Sequence, residues 1–189
     1  MIERTRRFSV QPGTPGQRQQ KPRITRSIGT PACEAARQNA AANGLAIEVL
    51  EHNVFDFLKH AEPQYDLIIL DPPSFTRNKK TLMDAMRGYK EIHLRSLKLL
   101  DKGGLLSTFC CSHHASRELF LDNLADASVD AKKSLRLIAE HHQRADHPVL
   151  ITLPETGYLK GFTVEVKHCR DSATHACMEQ CLDSARRRG

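Results

Sequence analysis

Apolar residues along this chain come in short blocks of two kinds. Residues 46–50, 67–70, 135–140 and 162–166, and the stretch that begins at Leu105, are dense in Val, Ile, Leu and Phe. Short apolar runs bounded by turn residues predict strands, and an unbroken run such as Leu67-Ile68-Ile69-Leu70 predicts one buried on both faces. Between them lie stretches with three- and four-residue spacing. Residues 82–100 put Met83, Met86, Tyr89, Ile92, His93, Ser96, Leu97 and Leu100 near one stripe of a long helix, which Asp101-Lys102-Gly103-Gly104 should close. Residues 116–128 predict a second amphipathic helix with Leu119, Phe120 and Leu124 inward. Residues 32–43 are Ala-rich, with Pro31 at a helix start and Asn43-Gly44 as a C-terminal cap, and 57–60 predict a short helix. Strands alternating with helices predict an α/β fold.

The two ends break this pattern. Gln11 to Arg23 contain Pro12, Gly13, Pro15, Gly16, four Gln and Pro22, with neither periodicity. After Val166 the chain turns polar and ends in Arg186-Arg187-Arg188-Gly189. The expected organisation is a basic N-terminal segment over 1–30, disordered or non-native, then an α/β unit over 31–167, then a polar tail over 168–189. A chain of 189 residues suits one domain with a core of ordinary size.

Charge sharpens that division. The net charge is +6, and all of it lies in the first 26 residues, which hold seven Arg or Lys and one Glu. Residues 27–189 carry 21 basic and 21 acidic side chains. The basic balance is thus a property of the N-terminal segment, which is either solvated or an arm that touches nucleic acid. No run of about 18 apolar residues predicts a membrane span, and no apolar stretch follows the N-terminal basic residues, as a secretory signal would need. Six cysteines, two of them adjacent, fit a reducing cytoplasm better than a disulfide framework. Cys169, Cys177 and Cys181 with His168 and His175 lack a paired C-x-x-C, so no metal is expected.

Three clusters carry candidate chemistry. Asp71-Pro72-Pro73-Ser74-Phe75 follows the apolar 67–70 run. The prolines cannot extend a ladder, so the acid and the aromatic are presented at the carboxyl end of a strand, where open α/β sheets bind ligands. An ordinary Pro turn would look the same locally. Cys110-Cys111-Ser112-His113-His114 ends the strand begun at Leu105. The third block, Ala145-Asp146-His147-Pro148 and Pro154-Glu155-Thr156-Gly157-Tyr158-Leu159-Lys160-Gly161, is turn-rich and lies between two apolar runs. Three such clusters beside strands predict one site at one edge of a sheet.

Taken with Arg87-Gly88-Tyr89-Lys90-Glu91-Ile92, these blocks resemble, in order and spacing over about 31–166, the bacterial large-subunit (23S) rRNA 5-methylcytosine methyltransferases. The resemblance implies a class I, Rossmann-like sheet with helices on both faces, S-adenosylmethionine as cofactor and ribosomal RNA as partner in the cytoplasm. It makes Cys111 the nucleophile, since cytosine carbon 5 reacts only after a good nucleophile adds at carbon 6, and a thiolate both attacks and leaves well. Cys110 stands where the family often has serine. Asp71 would orient the cytosine edge near the methyl donor, with Pro72 on the cofactor side and Pro73 and Phe75 on the substrate side, Phe75 covering a flipped base. Ser74 occupies the place of a second cysteine in a related group, so cysteine-assisted product release is not expected. Val54, Phe55 and Asp56 would flank the adenine, although Asp56 as a helix N-cap reads equally well. Lys79, Lys80, Arg87 and Lys90 are phosphate-contact candidates, or a solvated helix face.

The family's first strand, its Gly-rich turn and the acid that binds the ribose have no counterpart before Pro31, where the chain reads Arg26-Ser27-Ile28-Gly29. The resemblance therefore implies a truncated or altered N-terminus and an incomplete sheet, unless residues 5–10 and 23–28 improvise strands. Two other readings stay open: a catalytically impaired relic that still binds RNA, and an amino-group methyltransferase of the same fold, against which Cys111 argues because that chemistry needs no thiol.

Overall fold

The computed structural model describes residues 23–27, 30–51, 53–61, 65–75 and 81–167. Its elements run β1 (Arg23–Ser27), α1 (Thr30–Ala42), β2 (Ile47–Glu51), α2 (Val54–His60), β3 (Tyr65–Leu70), α3 (Leu82–Leu99), β4 (Leu100–Cys110), α4 (Arg117–Asp130), β5 (Ser134–His141) and β6 (Lys160–Lys167), with a short 3-10 turn at Pro154–Thr156. The α/β alternation expected from the apolar blocks is present, with helices flanking the sheet.

Two sheets form among the described residues. β1 and β2 pair in parallel, so residues 23–27 are a strand that their polar sequence, Arg-Ile-Thr-Arg-Ser, does not signal. The other sheet has the order β3-β4-β6-β5, with β3 and β4 parallel and β6 antiparallel to both its neighbours. Neither β1 nor β3 pairs a second edge with a described strand. The 5–10 stretch, the other candidate for an improvised strand, lies outside the described residues.

Burial explains the long helix and its neighbours. α3 buries Met86, Tyr89, Ile92, His93, Ser96 and Leu97, the core stripe of its sequence, while Met83 at its exposed start is 67% accessible. α4 adds Phe120, Leu124 and Ala127. With Ile68 and Leu70 of β3, Leu106 and Cys110 of β4 and Phe162, Val164 and Val166 of β6, these side chains make one core. A buried polar knot ties helix to helix to strand. His93 Nδ1 lies 3.1 Å from Asn123 Oδ1, His93 Nε2 lies 2.8 Å from Thr108 Oγ1, and Asn123 Nδ2 donates to Met86 O at 2.7 Å. Every member is satisfied, which is what makes such a group tolerable in a core.

Two local expectations need correction. Asp101-Lys102-Gly103-Gly104 does not close α3 with a turn. β4 begins at Leu100, directly after the helix, and passes this stretch as a bulge, pairing Tyr65 with Leu100 and then Leu67 with Leu105. Gly103 takes a positive φ of 78° there, a conformation that costs glycine little, and a Cβ at Gly104 would meet Asp101 O at 2.9 Å. The short helix predicted at 57–60 starts three residues earlier. Asn53 caps it by accepting from Phe55 N at 2.9 Å, so Asp56 is a first-turn residue and not the N-cap.

Candidate active site

The parallel pairing of β3 and β4 sets the site. Leu70 is in register with Thr108, so the residues that follow, Asp71 on one chain segment and Cys110-Cys111 on the other, leave the sheet at the same edge. β6 brings a third segment there, because Lys160 pairs with Cys110 and Gly161 with Phe109. Close approach requires glycine at 161, since a Cβ would lie 2.5 Å from the Phe109 ring. The three clusters singled out in the sequence thus meet at one edge.

Alternation along the strand end separates the two thiols. Cys110 is fully buried and Cys111 half-buried, and both are free. Asp71 is exposed at the mouth, with Pro72 half-buried and Pro73 exposed behind it. Phe75 does not stand free. Its ring packs 4.7 Å from Tyr89 and 6.2 Å from Phe55, and lies over Gly88, where a Cβ would touch it at 3.5 Å. That contact joins the start of α2 to the Asp71 turn. Val54 and Phe55 are half-buried there, and Asp56 is exposed and pairs with Lys59 at 3.4 Å.

Of the phosphate-contact candidates, Arg87 pairs with Asp84 on its own helix, and Lys90 reaches Asp130 at 3.0 Å. Each is thus partly neutralised by an acid. Lys79 and Lys80 lie outside the described residues, as do the cysteines and histidines of the tail. Among the described residues no group of three His, Cys, Asp or Glu side chains is placed to hold a metal, and no helix is long and apolar enough to cross a membrane.

Two further residues, Tyr89 of the α3 core stripe and Lys160 of the turn-rich block, sit at the centre. Tyr89 is buried, and its hydroxyl has no hydrogen-bond partner among the described residues. Burial pushes that phenol far up, and the neighbouring Cys110 thiol adds to the rise. An unpaired buried donor is costly. Lys160 is half-buried, its Nζ donating to Ser112 O at 2.5 Å. Burial lowers its pKa, against which Cys110 and Cys111 act. A cation thus stands beside the thiols and pins the turn after them. Tyr89 was hidden because it falls on the core stripe of α3. Lys160 was hidden because a single lysine in a turn-rich block carries no periodic signal.

Parallel strands with an antiparallel last strand inserted beside them, flanked by helices, point to a class: the class I methyltransferase fold. The comparisons agree. A Streptococcus mutans protein described as a SAM-dependent methyltransferase superposes with a TM-score of 0.64 at 21% identity, over 76% of this chain and 38% of that one. A methyltransferase solved in complex with SAH gives a TM-score of 0.60 at 22% identity, again over 76% of this chain and 38% of the other.

Residues 18–138 match the family model "Methyltransferase small domain", and the chain belongs to that family. Among its curated relatives are the proteins named ribosomal RNA large subunit methyltransferase I from Klebsiella pneumoniae subsp. pneumoniae (43% identical over 141 residues, 71% of this chain and 35% of the relative) and Erwinia tasmaniensis (44% over 141 residues, 71% and 36%). The chain spans about a third of the length of the curated relatives it matches.

Proposed function

We propose that this chain carries the catalytic edge of an S-adenosylmethionine-dependent methyltransferase that modifies carbon 5 of a cytosine in ribosomal RNA, in the cytoplasm, with Cys111 as nucleophile. The observation that carries the reading is the half-buried thiol of Cys111 beside Asp71 and Lys160 at one sheet edge. The printed names of the curated relatives and the SAH complex of a structural neighbour support the RNA and the cofactor.

S-adenosylmethionine supplies, when bound, an electrophilic methyl group on a sulfonium. The residues present fit its adenine end in part: half-buried Val54 and Phe55 offer apolar cover, and the Phe55–Phe75 contact holds them against the Asp71-Pro72 turn. At the carboxyl end of β1 the sequence offers Arg26-Ser27 and no carboxylate, which removes an acceptor for the ribose hydroxyls.

The chain's own residues account for the rest. The Cys111 thiolate adds to carbon 6 of the cytosine, forming an Sγ–C6 bond and making carbon 5 electron-rich. Carbon 5, so activated, is the centre to which a bound cofactor would supply its methyl group. A base removes the carbon-5 proton, and the Sγ–C6 bond breaks to restore the ring and the thiolate. Lys160 holds a positive charge where the thiolate forms, and its bond to Ser112 O fixes the turn that aims Cys111. On this reading Asp71 would hold the cytosine edge with Pro73 beside it, Phe75 would back that turn through its packing on Tyr89 and Phe55, and Arg87, Lys90, Lys79 and Lys80 would be candidates for the RNA backbone.

RNA containing a cytosine blocked at carbon 5 tests this reading, because the adduct cannot resolve. The parent should form a covalent complex, Cys111→Ser should lose it, and Cys110→Ala should retain most of it, since the buried Cys110 packs in the core. An adduct that survives Cys111→Ser and vanishes with Cys110→Ser moves the nucleophile by one residue. No adduct with any variant favours the RNA-binding relic, a reading that the missing ribose acceptor also supports.

A further inference from the structure

A cavity of about 470 Å³ opens beside this edge, with His113 and Lys160 in its wall. It lies between the turn after β4, the loop that leaves β5 and the segment that enters β6. Every titratable side chain lining it is basic or a histidine: Arg117, Arg144 and Lys160, with His113, His142 and His147. Residues 27–189 are neutral as a whole, so this excess is a matter of placement and not of composition.

The cations differ in availability. Arg117 is held by Glu140 through two hydrogen bonds, and that contact keeps the Glu140 carboxyl below its usual range. Lys160 is engaged with Ser112 O. Arg144 is exposed, and no carboxylate among the described residues pairs with it. The wall itself is built. The Gln143 amide donates to His147 O at 2.8 Å and Thr156 O at 2.7 Å, and accepts from Tyr158 N at 3.0 Å. One side chain thus pins both arms of the loop. At its tip Val149, Leu150, Ile151 and Leu153 are exposed, Ile151 at 96%, and Val149 also lines the cavity.

We infer that this cavity holds the backbone of single-stranded RNA immediately beside the nucleotide presented to Cys111, with a phosphate on Arg144 and His147 and a base against the apolar tip. The inference rests on the proposed function for RNA as substrate, but it uses a separate set of side chains. Ligand cavities of roughly 300–1,000 Å³ are ordinary. Cationic groups that follow phosphates, beside apolar surface for unstacked bases, suit single strands, whereas a duplex would leave the apolar tip uncovered.

Anisotropy of a labelled single-stranded RNA, titrated with the full chain, tests it. Arg144→Ala should weaken binding by roughly fivefold or more and lower the slope of log affinity against log salt by about 0.7. Lys98→Ala, which removes an exposed charge elsewhere, should change neither. Ile151→Asp, a substitution at an exposed position, should also weaken binding, and circular dichroism checks that each variant folds. A polyglutamate competitor should displace the RNA at least about tenfold less well than unlabelled RNA. Affinity and salt slope unchanged in Arg144→Ala, equal competition by polyglutamate, or no RNA binding by the parent would overturn the assignment. Adduct trapping keeps the two readings apart. A Cys111 adduct whose RNA dependence ignores Arg144 sinks the cavity and leaves methyl transfer standing, while Arg144-dependent binding without an adduct does the reverse.

Discussion

At the scale of single residues, His93 gives the fold a dependence on acid. Burial lowers its pKa from 6.5 to about 4, only partly opposed by the hydrogen bond to Asn123. Between those values the unfolded chain binds a proton that the folded chain refuses, so stability falls as pH drops through this window and is level for this group above it. A gap of that size is worth about 3 kcal/mol. Urea unfolding of the parent at about pH 4.5 and about pH 7 should show most of that difference. His93→Gln should be less stable at neutral pH and should lose much of the difference between the two conditions. An unchanged difference would mean that other groups set the acid response. The same burial explains why His93 belongs to the core and not to the site, although it lies one turn from Tyr89.

Among elements, the junction of α3 and β4 is held from outside. The helix ends at Leu99 and the strand starts at Leu100, with no loop to absorb the change of direction. Lys133, just before β5, sends its Nζ to Leu97 O and Leu100 O at 2.5 Å each. It thereby offers a cation to carbonyls at a helix C-terminus, where the dipole favours one. Burial lowers the Lys133 pKa, with Asp101 opposing. Lys133→Met keeps the stem and removes the donor, and should cost about 1–2 kcal/mol in denaturant unfolding. A variant as stable as the parent would show that water replaces the ammonium at no cost. Ser116 plays the matching role at the start of α4, accepting from Leu119 N at 3.1 Å. Its position directly after the thiol turn fixes where that turn must stop.

For the whole molecule, the edge of β3 sets the expectation. Its apolar residues are at least half-buried, yet among the described residues it pairs with β4 alone. Backbone groups of a buried strand that lack ladder partners are costly. If that second edge is unpaired, the chain should melt below about 55 °C, the middle of the ordinary range for domains. A single cooperative transition above that in calorimetry would show that the edge is satisfied. Cofactor affinity belongs to the same scale, because on the proposed reading it would draw on α2, β1 and the Asp71 turn together. Without a carboxylate at the end of β1, titration calorimetry should give S-adenosylmethionine binding at least about tenfold weaker than in a relative that has one. Micromolar binding would refute a defective site.

The alternation of apolar blocks, the core stripe of α3 and the polar clusters at strand ends were legible in the sequence, because periodicity and turn chemistry are local properties. Alternation along β4 sets the two thiols on opposite faces, but in the sequence only the family resemblance singled out Cys111. The bulge at 100–104 was not legible, since Gly103-Gly104 serves a turn and a bulged strand equally well until a partner strand is present. β1 was legible only as an alternative, residues 23–28 improvising a strand, because its polar residues carry no apolar period and become a strand by pairing with β2. The roles of Tyr89 and Lys160 are decided by tertiary structure alone. A phenol becomes desolvated against a thiol, and a lysine a cation beside two thiols, only when α3, β4 and β6 converge, because desolvation and proximity act between segments far apart in the chain. The basic cavity follows the same rule: sequence gives Arg144, His147 and Lys160, and only the fold puts them on one wall.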